Sequence, residues 1–502
     1  MHIMKQLFLQ FEEKGIEYAH FKSNGNLDFS FNETGDFDVL VNSDKIDQVY
    51  EVLLNLNAKQ MNTDSIKKYP GVDNWLLFDD ESGKIHHLHL HYQLMSGKEY
   101  VKEYNIPWED IILNTRVKDP EWNIFITDPS LELILLSVRM VIKAHTRDYA
   151  KAITGMYKTH SGLQQERDYL ISKADSSEIE SFLNELFLKE DIEKLAKLVQ
   201  KSKLTSGEFL ELSEIIRKNL KNSRRLSGFN SFLLSKTRRT EYIYKRIIKK
   251  LGHFVLLKKY PMNKGAIIAF IGVDGSGKST TTKEIYKWLS KQFDCSRVYM
   301  GLGDGKTTLY ATVMKKLRKL FGGKDNTPSI NSDNYKRKGK VSFLKNPAFF
   351  IKKVFLVKTI YSVEKDNYRK IILMNKYRIN GGISVMDRFP QIELPNRNDG
   401  PKIAEYANII DAERFVRRYR KKEEQKLQIV KAIKPDIIFR LNISAEESMR
   451  RKHDQSDITV AKSKINDLLS IGYQGARVID IDAEQEYDKE LLEIKKYIWS
   501  II

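Results

Sequence analysis

Cysteine is almost absent from this 502-residue chain, in which Cys295 stands alone. A single thiol excludes an intramolecular disulfide and any zinc site built on several cysteines, and it suits a reducing compartment. Long apolar runs are missing too. No stretch approaches the ~20 apolar residues that a membrane-spanning helix needs. The opening residues, Met1 to Phe11, lack the sustained apolar core of a secretory leader. A cytoplasmic location is therefore expected. Internal repeats and low-complexity tracts are absent as well. Acidic residues are in deficit, 66 Asp and Glu against 85 Lys and Arg, for a formal net charge of +19. Such a balance favours anionic partners. A lysine-rich surface would give the same balance, so charge alone assigns no partner.

What is present divides by texture, and the length itself implies more than one hydrophobic core. Residues 1–125 alternate short β-like runs, Phe37 to Val41 and Ile85 to Tyr92, with helical ones such as Ile46 to Leu56. Residues 126–260 turn helical, with Leu131, Leu133, Leu135 and Leu136 opening an apolar face. They end in a basic stretch, Lys236 to Lys264, expected to be an inter-domain connector. Residues 261–502 alternate strand, turn and helix, the pattern of a parallel sheet with crossover helices. Their strand candidates are Ala266 to Ile271, Arg297 to Met300, Ile383 to Met386, Ile437 to Leu441 and Val478 to Ile481. A last helix carrying Leu491, Leu492, Ile494, Ile498 and Ile501 is expected to close that domain. The fold class is α/β.

The segment Gly272-Val273-Asp274-Gly275-Ser276-Gly277-Lys278-Ser279-Thr280 matches G-x-x-x-x-G-K-[ST], between an apolar strand and a helical pattern. The glycines let successive backbone N–H groups converge on one phosphate chain. The positive end of the following helix reinforces that field. Lys278 would neutralise the β and γ phosphates of ATP, and the Ser279 hydroxyl would ligate Mg²⁺.

From Phe270 to Thr280 the sequence resembles the loop of thymidylate kinases, and later segments follow in that family's order. Gly381 to Phe389 is similar to its strand ending in Asp-Arg-Tyr. Pro435 to Leu441 with Ser444 to Lys452 resembles the strand and helix leading to its basic lid. Val478 to Ala483 resembles its closing strand beside the adenine pocket. The resemblance spans about Gly265 to Ile502. It implies a nucleoside-monophosphate-kinase-like parallel sheet and ATP- and Mg²⁺-dependent phosphoryl transfer to a small phosphorylated or hydroxylated acceptor. In that frame Asp387 faces the metal and Arg388 grips an acceptor phosphate with a two-pronged contact. Asp274 touches an acceptor hydroxyl. Arg450, Arg451 and Lys452 swing over the transferring group, and Tyr368, Arg369 and Lys370 lie where related kinases bind the acceptor. The pattern departs from the family at Ile271, where an acidic residue is usual, and at Pro390 to Glu393, which lacks the thymidine-pocket elements. These departures argue against dTMP as acceptor. Asn398 to Lys402 is similar instead to thymidylate-kinase-like segments of larger multidomain chains.

His20 to Ser23 and Gly35 to Val41 resemble a nucleotidyltransferase core, either active or reduced to a binding or packing domain. Asp36 and Asp38, one residue apart on a strand, point the same way and would hold Mg²⁺. The strand that should bring a third carboxylate has His89 in its place. His87, His89 and His91 alternate onto one face, a pattern open to a transition metal or to an ordinary half-exposed sheet face.

Arg139, Lys143, His145 and Arg147 are expected on core helices with ordinary charged faces, with closure over a substrate as the alternative. Phe349, Phe350, Lys352, Lys353, Phe355 and Leu356 form a basic amphipathic pattern, open to peripheral membrane contact or to a crossover helix. No nucleic-acid module accompanies the basic stretches, so a nucleic-acid partner is not expected. Three rival functions remain: ATP binding without turnover by a regulatory protein, nucleotidyl transfer by the first domain and, ranked lowest, a nucleic-acid-binding ATPase.

Overall fold

Side chains alternate across a pleated strand, and along Asp36–Val41 that alternation sends Phe37, Val39 and Val41 into one core and leaves Asp36, Asp38 and Leu40 on the opposite face. This split organises the first of two compact units, residues 1–262, in a computed structural model of the chain; the second unit is residues 263–502. Residues 2–33, 35–251, 255–262, 264–300, 347–395, 399–401, 413–451 and 457–502 are described.

The strands of the first unit are β1 (Tyr18–His20), β2 (Asp36–Val41), β3 (Lys59–Asn62), β4 (Val72–Phe78), β5 (Ile85–His91), β6 (Leu94–Ser96), β7 (Tyr104–Ile106), β8 (Val117–Lys118), β9 (Phe125–Ile126) and β10 (Tyr260–Pro261). All but β6 and β7, which pair with each other, form one mixed sheet in the order β10-β3-β4-β5-β2-β1-β9-β8. β2 and β5 run parallel, pairing Asp36 with His87 and Asp38 with His89. One face packs on helices Ile3–Glu13 and Ile46–Asn55 through Leu7, Phe8, Phe11, Val49 and Leu53. A second core, built on helix Pro129–Lys143 and later helices, takes in Ala19, Phe21 and Leu40. Asp128 caps that helix, accepting from the N–H groups of Ser130 and Leu131, with Pro129 in its first turn.

The basic stretch expected as a connector is mostly helix. Gly228–Lys250 is one helix of 23 residues, because Phe229 to Lys250 contains neither Gly nor Pro and is rich in good helix formers. It is held to its own unit where Arg238 donates to the Tyr100 carbonyl at 2.6 Å and Lys245 pairs with Asp64 at 2.7 Å. The chain then adds β10 to the edge of the sheet.

The second unit is a five-stranded, wholly parallel sheet of β11 (Ile267–Gly272), β12 (Cys295–Tyr299), β13 (Ile383–Asp387), β14 (Ile437–Asn442) and β15 (Val478–Asp482), in the order β12-β13-β11-β14-β15. Ile267 to Ile271, Ile383 to Met386 and Ile437 to Phe439 are buried throughout, as strands covered on both faces should be. The last helix, Tyr487–Ile501, buries Ile494, Ile498 and Trp499, while Leu491 and Leu492 are only half-buried. The backbone of the basic amphipathic pattern lies in helix Pro347–Ile379; its Phe349, Phe350, Lys352, Lys353, Phe355 and Leu356 side chains are outside the described residues. No described helix is long and apolar enough to cross a membrane.

Candidate functional site

The chain leaves the central strand β11 at Gly272, turns through Val273 to Gly277 and enters helix Lys278–Gln292. Gly275 and Gly277 take φ of 85° and 84°, left-handed angles that a side chain resists. A Cβ on Gly275 would also stand 3.0 Å from the Ser448 carbonyl oxygen. The Ser448 hydroxyl donates to the Asp274 carbonyl at 2.7 Å, fixing the loop from helix Ala445–Arg451. The first N–H groups of a helix lack intrahelical acceptors and draw anions. This loop therefore combines a helix start with backbone angles that only glycine takes freely.

Lys278 is 7% exposed, and its Nζ donates to the Val273 carbonyl at 2.5 Å and lies 3.4 Å from Ser276 Oγ. Burial, with the Arg388 charge nearby, pushes the ammonium down to about 8. Thr280 donates its N–H to the Gly277 carbonyl and so opens the helix. Asp387 ends β13, the immediate neighbour of β11. Its Oδ2 accepts from the Ser279 hydroxyl at 2.7 Å. Its Oδ1 is buried with no hydrogen-bond partner among the described residues. A Ser hydroxyl, a carboxylate and an unsatisfied oxygen suit a hard cation that prefers oxygen ligands.

Arg388 follows with φ 73°, a left-handed angle unusual for a long side chain. The turn is held by its N–H, which donates to the Phe270 carbonyl at 2.9 Å. The guanidinium stands 3.8 Å from Asp274 Oδ1 and 3.6 Å from Asp399 Oδ2. Lys464 approaches Asp274 at 3.9 Å. Thus Asp274, Lys278, Ser279, Asp387 and Arg388 converge at the carboxyl ends of adjacent strands, where ligands bind in open α/β sheets. Arg450 and Arg451 are bonded to Glu447, Arg451 also to the Ala483 carbonyl at 3.0 Å; Lys452 lies outside the described residues. Tyr368 is buried, Arg369 exposed, and Lys370 donates to the Tyr299 carbonyl at 3.3 Å. Asn398 and Lys402 are outside the described residues. Asp399 falls in the segment Asn398 to Lys402 singled out by resemblance, without a role assigned to it, whereas Lys464 belongs to no spaced motif and had no readable signal.

In the first unit Asp36, Asp38, His87, His89 and His91 share one face of β2 and β5. His87 Nδ1 lies 2.6 Å from Asp36 Oδ1 and its Nε2 3.0 Å from Asn74 Oδ1. Asp38 Oδ1 is approached by Lys22 at 2.7 Å, His89 Nδ1 at 3.2 Å and His91 Nε2 at 3.3 Å. Burial by itself would raise the Asp36 carboxyl, but the His87 hydrogen bond and nearby cations bring it down to about 2. Arg139 and Lys143 lie within electrostatic range of Lys22 and Lys102, and Lys143 also of Asp38. Burial and the Arg139, Lys22 and Lys102 charges push Lys143 down to about 6. His145 and Arg147 are exposed.

No family model matches the chain. Two bacterial proteins are similar to it. The uncharacterized ATP-binding protein YghR of Escherichia coli strain K12 is 28% identical over 239 residues, 46% of this chain and 86% of its own length. The uncharacterized ATP-binding protein YghS of the same strain is 23% identical over 228 residues, 45% of this chain and 89% of its own. Among solved structures, deoxyadenosine kinase from M. mycoides with bound dATP covers 46% of this chain and 98% of its own at 14% identity, with a TM-score of 0.27. That overlap is too slight to define a shared fold.

Proposed function

We propose that the second unit is an ATP- and Mg²⁺-dependent phosphotransferase of the nucleoside-monophosphate-kinase type, acting on a small phosphorylated or hydroxylated acceptor. The observation that carries this reading is the Ser279 to Asp387 hydrogen bond of 2.7 Å beside the buried Lys278. In phosphate-binding-loop enzymes a loop hydroxyl and a strand-end carboxylate hold the metal between them. The names of YghR and YghS, both called ATP-binding proteins, support the same reading.

The loop amides and Lys278 would bind and orient the triphosphate, and Ser279 and Asp387 would hold Mg²⁺, which neutralises charge on the β and γ oxygens when bound. Arg388, poised between Asp274 and Asp399, would position the acceptor's phosphate, and Asp274 its hydroxyl. Arg451 would reach the transferring group after leaving Glu447. In-line transfer depends mainly on such positioning and charge placement, so no dedicated base is assigned. The thymidylate-kinase-like reading rests on the ordered motifs from Phe270 to Ala483, and the departures at Ile271 and Pro390 to Glu393 weigh against dTMP.

The first unit is read as nucleotidyltransferase-like, supported by Asp36 and Asp38 facing a parallel neighbour strand. With His89 paired to Asp38, that unit is the less favoured seat of Mg²⁺-dependent catalysis, since imidazole is a poor Mg²⁺ ligand.

The test is incubation with γ-labelled ATP, Mg²⁺ and a pool of nucleotides, sugar phosphates and polyols, alongside Lys278→Ala. Label in one acceptor with the parent chain alone is the expected result. ATP uptake without label in any acceptor would favour a regulatory binder instead. No ATP uptake at millimolar concentration would remove the reading altogether.

A further inference from the structure

Imidazole nitrogens and carboxylate oxygens crowd one face of the first unit's sheet. The ligand-capable atoms of Asp36, His87 and His89 all lie within 4.8 Å of one another, and so do those of Asp38, His89 and His91. Modest side-chain adjustment lets one ion reach three such atoms at about 2.0–2.2 Å. We propose that this cluster is a divalent transition-metal centre, with His89 common to two overlapping triads of two histidines and one carboxylate, and that a phosphate-bearing anion completes the ion's coordination. This site is separate from the phosphate-binding loop and does not rest on the reading of it.

Three features specify the ion. Nitrogen donors select zinc, cobalt and similar ions over Mg²⁺, which demands oxygen. Asn74 Oδ1 lies 3.0 Å from His87 Nε2. With a metal on Nδ1 in place of the hydrogen bond to Asp36, this amide oxygen would accept the Nε2 proton, an outer partner of the kind that orients metal-binding histidines. Ammonium groups already rest against the same ligand atoms, Lys22 2.7 Å from Asp38 Oδ1 and Lys259 3.1 Å from His87 Nδ1. The place therefore attracts positive charge, and a dication has only to displace two flexible side chains. Sharing His89 makes one ion the expected occupancy, since an imidazole holds two ions only after losing both ring protons.

The anion follows from the surroundings. Lys22 stands 2.7 Å from Asp38 Oδ1, Arg139 stands 3.9 Å from Glu166, and Lys102 and Lys143 lie within electrostatic range of Lys22, Arg139 and Asp38. Once Asp38 is committed to a metal, Lys22 loses its ion-pair partner, and phosphate oxygens supply another.

The experiment uses the full chain, stripped with chelator and free of nucleotide so that the phosphate-binding loop recruits no metal. Titration with Co²⁺, read by visible absorption and by metal content, is expected to give about one ion per chain with nitrogen-type bands. His89→Ala should weaken uptake by at least about 100-fold. His89 is only partly buried, its side chain 29% exposed, so this variant is expected to fold, and circular dichroism checks that it does. His87→Ala and His91→Ala tell which triad holds the ion: the one that loses uptake belongs to it. Pyrophosphate added to the cobalt form should shift the absorption bands, and Lys22→Ala should weaken that response about tenfold while metal uptake persists. Absence of saturable Co²⁺ or Zn²⁺ uptake, uptake unchanged in His89→Ala, or preferential uptake of Mg²⁺ would each overturn the metal centre. Bands indifferent to pyrophosphate would overturn its anionic ligand.

Discussion

Asp387 in the second unit and Asp38 in the first both occupy strands beside lysines, yet their immediate company differs. Asp387 accepts one hydroxyl and keeps its other oxygen buried and unpaired among the described residues. Asp38 gathers an ammonium and two imidazoles on a single oxygen. The first arrangement is made for a hard ion carried in with a polyanion, because oxygen ligands and an unsatisfied lone pair await it. The second is already internally compensated, so any ion entering it must compete with lysine and be one that prefers nitrogen. An Asp beside a strand end therefore says little until its donors are known.

The contrast breaks first at Lys278. Lys278→Ala should lower label transfer from ATP roughly a thousandfold and leave Co²⁺ uptake by the first unit unchanged; altered uptake would mean that the two sites are not independent. Asp387→Asn comes next, with a loss of roughly a hundredfold in Mg²⁺-dependent transfer and metal-free nucleotide binding preserved, read by calorimetry.

On the stability side, Glu132 in the first unit is buried and raised to about 7 by that burial, despite bonds from Asn24. A carboxyl whose folded value exceeds its unfolded one is favoured when protonated. Its ionisation therefore costs stability increasingly as pH rises from about 4.5 to about 7. Glu132→Gln should stabilise the unit by about 2 kcal/mol at pH 8, and the advantage should vanish below about pH 4.5, as measured by urea unfolding at the two pH values.

The smallest effect concerns the Lys278 proton. With its ammonium near 8 before ligand arrives, and a phosphate chain favouring the charged form, ATP binding at pH 8 should take up about half a proton. Calorimetry in buffers of different ionisation heat reads this directly, and Lys278→Ala should abolish it.

Much of the second unit was legible because its determinants are local. The five expected strands from Ala266 to Ile481 are all present, with ends shifted by a residue or two, since buried parallel strands announce themselves as apolar runs between turns. The loop was legible because glycine spacing encodes backbone angles. Arg388 was legible as a cation but not in its left-handed backbone, which no residue spacing encodes. The first unit hid more. Tyr260–Pro261 joins its sheet from the far end of a basic stretch, and only pairing with β3 makes it a strand. Lys22, Lys102 and Lys143 meet around Asp38 because three distant segments pack together, a fact that no window of sequence contains.

The hydroxyl of Ser448 has a consequence beyond steadying a turn. By holding the Asp274 carbonyl, it makes the orientation of that peptide and the placement of the arginine-bearing helix a single mechanical variable. Any rearrangement that closes Arg450 and Arg451 over a substrate must either carry the Asp274 peptide with it or sever this tether. A probe on that helix would therefore register events at the turn, and removing one oxygen in Ser448→Ala would uncouple the two movements.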